Sequence, residues 1–477
     1  MLSTIHPSGP GVFLSASEAP AAAWSLPPWA LILTVALGVG LLLVLVLRAR
    51  LHAFVALLLV SAAVAFAAGL PLSGIPGLLE AGMGDTLGGI AIIVALGAML
   101  GRMMQETGAA QLLSQRLLAL FGEGRAPLAM GLTALLLGIP VFFDVGFIIM
   151  VPLLYAVAAR TGRSLISVAL PAAGGLAIMH AVLPPHPGPV AAAELLGGHL
   201  GWIAFMGLVC GLPAWYLGAY VFGKRLGDRT FVPVPASFQG EGDELCEVPE
   251  NAPPLSLTLA VVVLPVTLIL LNTFSPLVVP EGPVLEALLF VGNPVTALTI
   301  ATLLSFWLLG LRGGMTRERV EKAASASLGP TALVLLVTGA GGVFGEVLEA
   351  TGAGEAVAGI LSATALPAVV LAFVIATIMR VALGSKTVAI VTTAPIVAPL
   401  IAEAGMSQPE IALVVIAIAA GGTVLSHVND SGFWLMNRYL DIDIRTTLKS
   451  WTVMETLMGS IAFLIAAAIS AGLALAG

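Results

Sequence analysis

Charge is scarce in this chain: Asp, Glu, Lys and Arg make up 9% of 477 residues, against 59% that are apolar. Soluble domains carry about 25% charged residues, so this composition excludes an ordinary water-soluble fold. Cysteine is nearly absent as well. Cys210 falls in an apolar run and Cys246 in a polar loop, which leaves no disulfide framework. No basic cluster interleaves with aromatic residues, so nucleic-acid binding has no footing. Neither a zinc-binding HExxH nor a GxSxG motif occurs, so a membrane-embedded hydrolase lacks its common signatures, and no metal or cofactor is implied. The first 27 residues hold no Lys or Arg, whereas a cleavable signal peptide carries positive charge ahead of its apolar segment. Here the positive flank, Arg48 and Arg50, follows the first apolar run.

What the chain has instead is a mean hydropathy of +1.07 and repeated apolar runs of about 20 residues, the length that crosses a bilayer. The fold expected is an all-α polytopic membrane protein in contact with lipid. Ten crossings are predicted, at 28–47, 51–70, 87–103, 164–195, 200–223, 255–275, 286–310, 328–348, 409–440 and 452–475. Two further stretches, 126–160 and 364–404, each hold two runs of about 13 to 16 residues, short for spans, split by Pro, Gly and polar groups. A re-entrant hairpin fits both, provided protein or a wet cavity covers it. With that topology every Lys and Arg except Arg380 and Lys386 lies on one side. The positive-inside rule makes that side cytoplasmic and both termini extracytoplasmic. The two exceptions lie in the second hairpin near its turn, where charge marks a functional site by default.

An internal repeat supports the topology. "GAMLGRMMQETGA" from Gly97 resembles "GGVFGEVLEATGA" from Gly341, with Gly97, Gly101, Thr107 and Gly108 matched by Gly341, Gly345, Thr351 and Gly352. Nearly the same shift pairs "PLLYAVAARTG" from Pro152 with "PIVAPLIAEAG" from Pro395, and "AGGLAIMH" from Ala173 with "AGGTVLSH" from Ala420. The halves run in opposite directions through the predicted membrane. The expected organisation is an extracytoplasmic segment 1–27, repeat one at 28–223, a cytoplasmic linker at 224–254 and repeat two at 255–477. Each repeat holds five crossings, one of them discontinuous, plus one hairpin. Inverted repeats with broken helices are the architecture of secondary transporters, with the substrate at the midplane.

Four segments meet in such a fold. "GIPVFFDVGF" puts Asp144 at the turn of hairpin one, as a proton carrier or as a cap of the next half-helix. "HAVLPPHPGP" holds four prolines and breaks its crossing; His186 there is placed to shuttle protons or bind an anion. At the turn of hairpin two, "ALGSKTVAIVTTAP" offers Gly384, Ser385, Thr387 and helix-start N–H groups as an anion site, with Thr392 beyond. Lys386 and Arg380 add charge there, or pair internally with Asp144 or Asp430; internal pairing is the reading for Arg380. "HVNDSGF" supplies Asn429 and Ser431 for hydroxyl groups and Asp430 as a proton acceptor or partner of Lys386. His180 and His427 are read as structural, bonding across the helix breaks.

At "LPPHPGP", "FFDVGF" and "HVNDSGFW" the chain resembles the gluconate permease family of proton symporters, within the wider ion-transporter superfamily. The resemblance spans nearly the whole chain. It implies an importer of gluconate or related sugar acids in a bacterial inner membrane, driven by the proton gradient and free of cofactors. The superfamily implies a homodimer whose transport part moves against a scaffold as an elevator. Two positions depart from the family pattern, which favours Glu at 144 and a small residue at 386. The residues assign the carboxylate of a small hydroxylated anion to Ser385, Lys386 and Thr387, its hydroxyls to Asn429, Ser431 and Thr392, and the proton to Asp144 ahead of Asp430 and His186. Sodium-coupled import of a carboxylate or an amino acid such as serine, a channel, and a membrane enzyme are the rival readings.

Overall fold

The computed structural model describes residues 24–235, 252–353, 356, 366–427 and 430–476. Cys246, Asn429 and the first two residues of the predicted hairpin 364–404 lie outside that set. Among the described residues every regular element is a helix, as lipid demands of a chain that must satisfy its own backbone. The first half runs α1 (Pro28–Leu47), α2 (Ala53–Ala67), α3 (Ile75–Glu106), α4 (Ala109–Phe121), α5 (Ala126–Leu137), α6 (Phe143–Thr161), α7 (Leu165–Val182), α8 (Pro187–Leu196), α9 (Leu200–Trp215) and α10 (Phe222–Arg229). The second runs α11 (Leu255–Phe274), α12 (Pro283–Gly292), α13 (Pro294–Leu304), α14 (Arg317–Ala350), α15 (Ala368–Leu383), α16 (Lys386–Ala404), α17 (Gln408–Gly421), α18 (Ser431–Tyr439), α19 (Ile444–Thr447) and α20 (Val453–Ala476). Nine helical segments among the described residues are long and apolar enough to cross a membrane.

Several boundaries differ from those read in the sequence. The crossing expected at 87–103 is part of a 32-residue helix, α3, and the one at 328–348 part of the 34-residue α14. Polar residues such as Glu80, Asp85 and Glu321 lower local hydropathy without ending a helix, so an apolar-run criterion trimmed both. The 286–310 crossing is divided at Asn293, whose side chain caps α13 by accepting the Val295 N–H. The arms of the predicted hairpins are uneven: 12 and 19 residues in the first, 16 and 19 in the second. Pro152 inside α6 and Pro395 and Pro399 inside α16 made the second arms read as shorter than they are.

Both crossings predicted to be discontinuous are broken where expected. α7 ends at Val182 and α8 starts at Pro187, behind the proline run that cannot continue a helix. α17 ends at Gly421, and α18 begins only at Ser431. α7 and α17 are buried on all faces, as befits helices that are apolar all round. They form the axis around which the hairpin arms pack.

α3 and α14 lie side by side and present small residues to the broken elements. At Gly97 a methyl group would stand 2.6 Å from Cγ of Pro185, in the first break. At Gly345, the counterpart of Gly101 in the repeated motif, the neighbour is Pro395 of α16, 3.1 Å from the same construction. Both motifs also close alike: Thr107 and Thr351 donate their hydroxyls to carbonyls four residues back, and Gly108 and Gly352 follow at φ of 72° and 67°. The matched glycines therefore mark close approaches, which explains their spacing better than helix propensity does. Gly97→Val should overpack the contact with Pro185 and cost about 1–3 kcal/mol, read as a lowered midpoint of thermal unfolding in detergent. Gly40→Ala, on α1 with nothing near its added methyl, should not lower it.

Candidate functional site

The polar segments singled out in the sequence converge on a cavity of about 460 Å³. Three of the helices that begin at its wall come from those segments: α6 with Phe143 and Asp144, α16 with Lys386 and Thr387, and α18 with Ser431 and Gly432. The first N–H groups of a helix have no acceptor within it and carry partial positive charge, so three such ends favour an anion between them. At the tip of the second hairpin Gly384 takes φ 75°, a conformation open to glycine. Its N–H returns to the Arg380 carbonyl at 3.0 Å, closing α15. Ser385 then caps α16 by accepting the Val388 N–H at 3.4 Å, leaving the N–H groups of Lys386 and Thr387 at the cavity end of the helix.

Two buried ion pairs fix this tip. Arg380, 1% exposed, donates to Asp430 at 2.6 Å and to the Gly384 carbonyl. Asp430 also accepts the Ser426 hydroxyl, and Ser426 in turn accepts the Trp451 indole N–H at 2.6 Å. This chain of bonds runs from α20's approach, through the second helix break, to the tip of hairpin two. The Ser426 carbonyl accepts the Thr452 hydroxyl, and the Leu425 N–H donates to Thr456 at 3.1 Å. Leu425 itself sits at φ 55°, a strained setting for a branched side chain, held by these contacts. The second pair joins Lys386 Nζ to Glu455 Oε2 at 3.1 Å, and Lys386 also donates to the Ala177 carbonyl at 3.2 Å.

The residues proposed from sequence divide clearly. Gly384, Ser385, Lys386, Thr387, Asp144, Asp430 and Ser431 all line the cavity, while Asn429 lies outside the described residues. Asp144 is exposed within it and accepts from the Ser431 hydroxyl at 3.5 Å. It does not cap α6: that position belongs to Phe142, and Asp144 stands in the first turn, where a carboxylate complements the helix dipole. Thr392 is not at the cavity. Two turns down α16, it is buried and spends its hydroxyl on the Val388 carbonyl at 2.7 Å.

His186 is also set back, 1% exposed, with Nε2 2.6 Å from the Gly138 carbonyl. His180 stands between it and the cavity, the two rings 4.6 Å apart. The expected bond of His180 across the break is not made: its Nδ1 has no hydrogen-bond partner among the described residues. His427 bonds its own turn, at the Leu425 carbonyl, 2.9 Å away. Lys386 pairs with neither Asp144 nor Asp430 but with Glu455, which the sequence reading passed over together with Ser426 and Trp451. Glu455 had a signal: it is the one charged residue of Val453–Ala476, and an ionisable group inside a span is a site hypothesis by default.

Removing one partner of a buried pair leaves the other desolvated and alone. Arg380→Leu should therefore destabilise the protein by roughly 3–5 kcal/mol, measured by thermal unfolding in detergent. The double variant Arg380→Leu, Asp430→Leu should recover most of that loss.

Residues 30–472 match the family model described as GntP family permease. The chain is 40% identical to the inner membrane permease YgbN of Escherichia coli K12, across 90% of this chain and 96% of that one. It is 36% identical to the low-affinity gluconate transporter of the same strain, across 91% and 97%. In fold it is similar to the YdaH transporter of Alcanivorax borkumensis, with a TM-score of 0.65 at 17% identity over 88% of this chain and 99% of that one. Membrane-spanning helices, broken crossings and a polar cavity thus occur in a chain whose relatives are transporters and not enzymes, and the protein belongs to the GntP family of permeases.

Proposed function

We propose that this permease imports gluconate, or a sugar acid like it, together with protons across the bacterial inner membrane. The observation that carries this reading is the meeting of three helix starts with Lys386 in one cavity. A carboxylate placed at the first turn of α16 would receive the N–H groups of Lys386 and Thr387 and the Lys386 ammonium. Ser431 and Asn429 are the groups for the substrate's hydroxyls. A relative 36% identical to this chain is a gluconate transporter, and gluconate has the carboxylate and the row of hydroxyls that such a site suits.

Coupling requires a group whose protonation favours one facing of the protein over the other. Asp144, Asp430 and Glu455 are the carboxylates of the cavity. The elevator reading is supported by the composition of the cavity wall. His52 at the start of α2 and Val337 on α14 face the hairpin tips and the second break across the cavity. α1, α2 and α14 share an apolar core of their own, so they suit a scaffold. The paired glycine motifs then belong to inverted repeats, with both termini extracytoplasmic and two copies of the chain joined through their scaffolds.

Purified protein in liposomes with an alkaline interior of about one pH unit should accumulate radiolabelled gluconate up to about tenfold for one proton each. Replacing external sodium with choline should leave uptake unchanged. Uptake that follows sodium and ignores the proton gradient would overturn the coupling, and no tracer counterflow with any sugar acid would overturn the substrate class.

A further inference from the structure

We infer that Glu455 is the proton-binding group of the transport cycle, and that the substrate carboxylate reaches Lys386 by displacing it. This rests on the transport reading above and names the residue that performs the coupling. Glu455 is completely buried; among the described residues its polar contact is the 3.1 Å ion pair with Lys386, and neither carboxylate oxygen completes a hydrogen bond there. It lines the same cavity as the start of α16, so a bound anion and Glu455 compete for one ammonium.

The other cation is not open to such competition. Arg380 is tied to Asp430 and to the Gly384 carbonyl, and Asp430 holds the Ser426 hydroxyl besides. Lys386 has three donors and, among the described residues, two partners, Glu455 and the Ala177 carbonyl. It also sits on the hairpin tip whose helix start would receive the anion. When a carboxylate pairs with Lys386, Glu455 is left as a lone buried anion, a state that neutralises itself by taking up a proton. The balance is simple. One substrate anion and one H⁺ enter from the outer solution, the proton goes to the Glu455 carboxylate, and the charge of the protein with its cargo does not change. On the other side the anion leaves, Lys386 returns to Glu455, and the proton is released to the cytoplasm.

The titratable groups that share the cavity with Glu455 are Lys386 and Arg380 from hairpin two, Asp430 from the second break, His180 from α7, Asp144 from α6 and His52 from the start of α2. The remaining ionisable groups on elements packed against α20, among them Cys210, Tyr216, Tyr220, Glu410 and Lys449, lie outside the cavity. Asp144 and Asp430 serve less well than Glu455. Asp144 has the Ser431 hydroxyl and no ion pair with Lys386, so an anion at Lys386 takes no partner from it, and Asp430 keeps Arg380 whether or not substrate is bound.

The test is titration calorimetry of the purified full-length protein with D-gluconate, in two buffers of different ionisation enthalpy, which counts the protons bound per ligand. About one proton should be taken up by the wild type and by Asp144→Asn, and none by Glu455→Gln. A second measurement needs no variant: an apolar carbodiimide reacts with protonated acids, and mass spectrometry should find its label on Glu455 increased by gluconate. If gluconate binds without proton uptake, if Glu455→Gln still takes the proton, or if the ligand-dependent label falls on Asp144, this assignment is wrong and the transport reading stands. If gluconate and other sugar acids do not bind the wild type at all, the transport reading falls and this inference with it.

Discussion

A charge withdrawn from water has to find its opposite, and at the tip of the second hairpin that requirement organises the surrounding structure. Arg380 is almost wholly buried, and its partner Asp430 belongs to a different crossing, fifty residues along the chain. Their bond sets the helix break that follows Gly421 against the hairpin, and the Ser426–Trp451 contact then brings in the last crossing. Once these parts are joined, the start of α16 has a fixed direction, and its free N–H groups face a cavity instead of lipid. The backbone benefits in the same way. An unwound stretch at membrane depth is tolerated only where side chains or a wet cavity take up its polar groups, and here Thr452 and Thr456 do part of that work.

The glycines of α3 and α14 meet a complementary demand. Where a broken crossing or a hairpin arm leans on a long helix, a side chain on that helix would hold the two apart. Gly97 against Pro185 and Gly345 against Pro395 pair a residue without a side chain with a rigid ring. Such a contact lets the rigid ring meet the helix backbone directly, as no larger residue at the same position would.

Much of this was legible in the sequence because it depends on local chemistry. Four prolines within ten residues break a helix wherever they stand, and Gly384 before Ser385 and Lys386 marks the end of one helix and the start of another. Arg380 and Lys386 declared themselves as charges out of place, and the internal pairing read for Arg380 is what the structure has. The partner of Lys386 was not legible, because α20 and hairpin two are brought together only by the tertiary fold. Thr392 and His186 were assigned to the site from their position near a turn. Burial decided otherwise, since a Thr in mid-helix satisfies its hydroxyl on its own backbone, and His186 finds the Gly138 carbonyl left open at the end of α5. Helix ends, too, were hidden where a few polar residues continue a helix beyond its apolar part, as at the start of α3.

The cavity that fits a carboxylate is not the largest in the protein. One of about 1040 Å³ lies at the other end of α16, lined by Pro395, Pro399 and Ala402 of that helix and by Asp85, Glu194, Glu346, Glu349 and Glu403. α16 has 19 residues, and the lining residues of the two cavities that approach each other along it, Val388 and Pro395, are seven residues apart, about 10 Å at 1.5 Å each. Their electrostatics are opposed. The larger one meets the C-terminal end of the helix, the negative pole of its dipole, together with five carboxylates, and would repel an organic anion. The smaller one meets the N-terminal end and two further helix starts, with Lys386 and Arg380 set against Asp144, Asp430 and Glu455. Volume alone would choose the wrong cavity for an anion. The dipole of α16 gives each end its sign; the five carboxylates reinforce it at the larger cavity, whereas at the smaller one the helix-start N–H groups and the Lys386 ammonium supply the attraction for an anion.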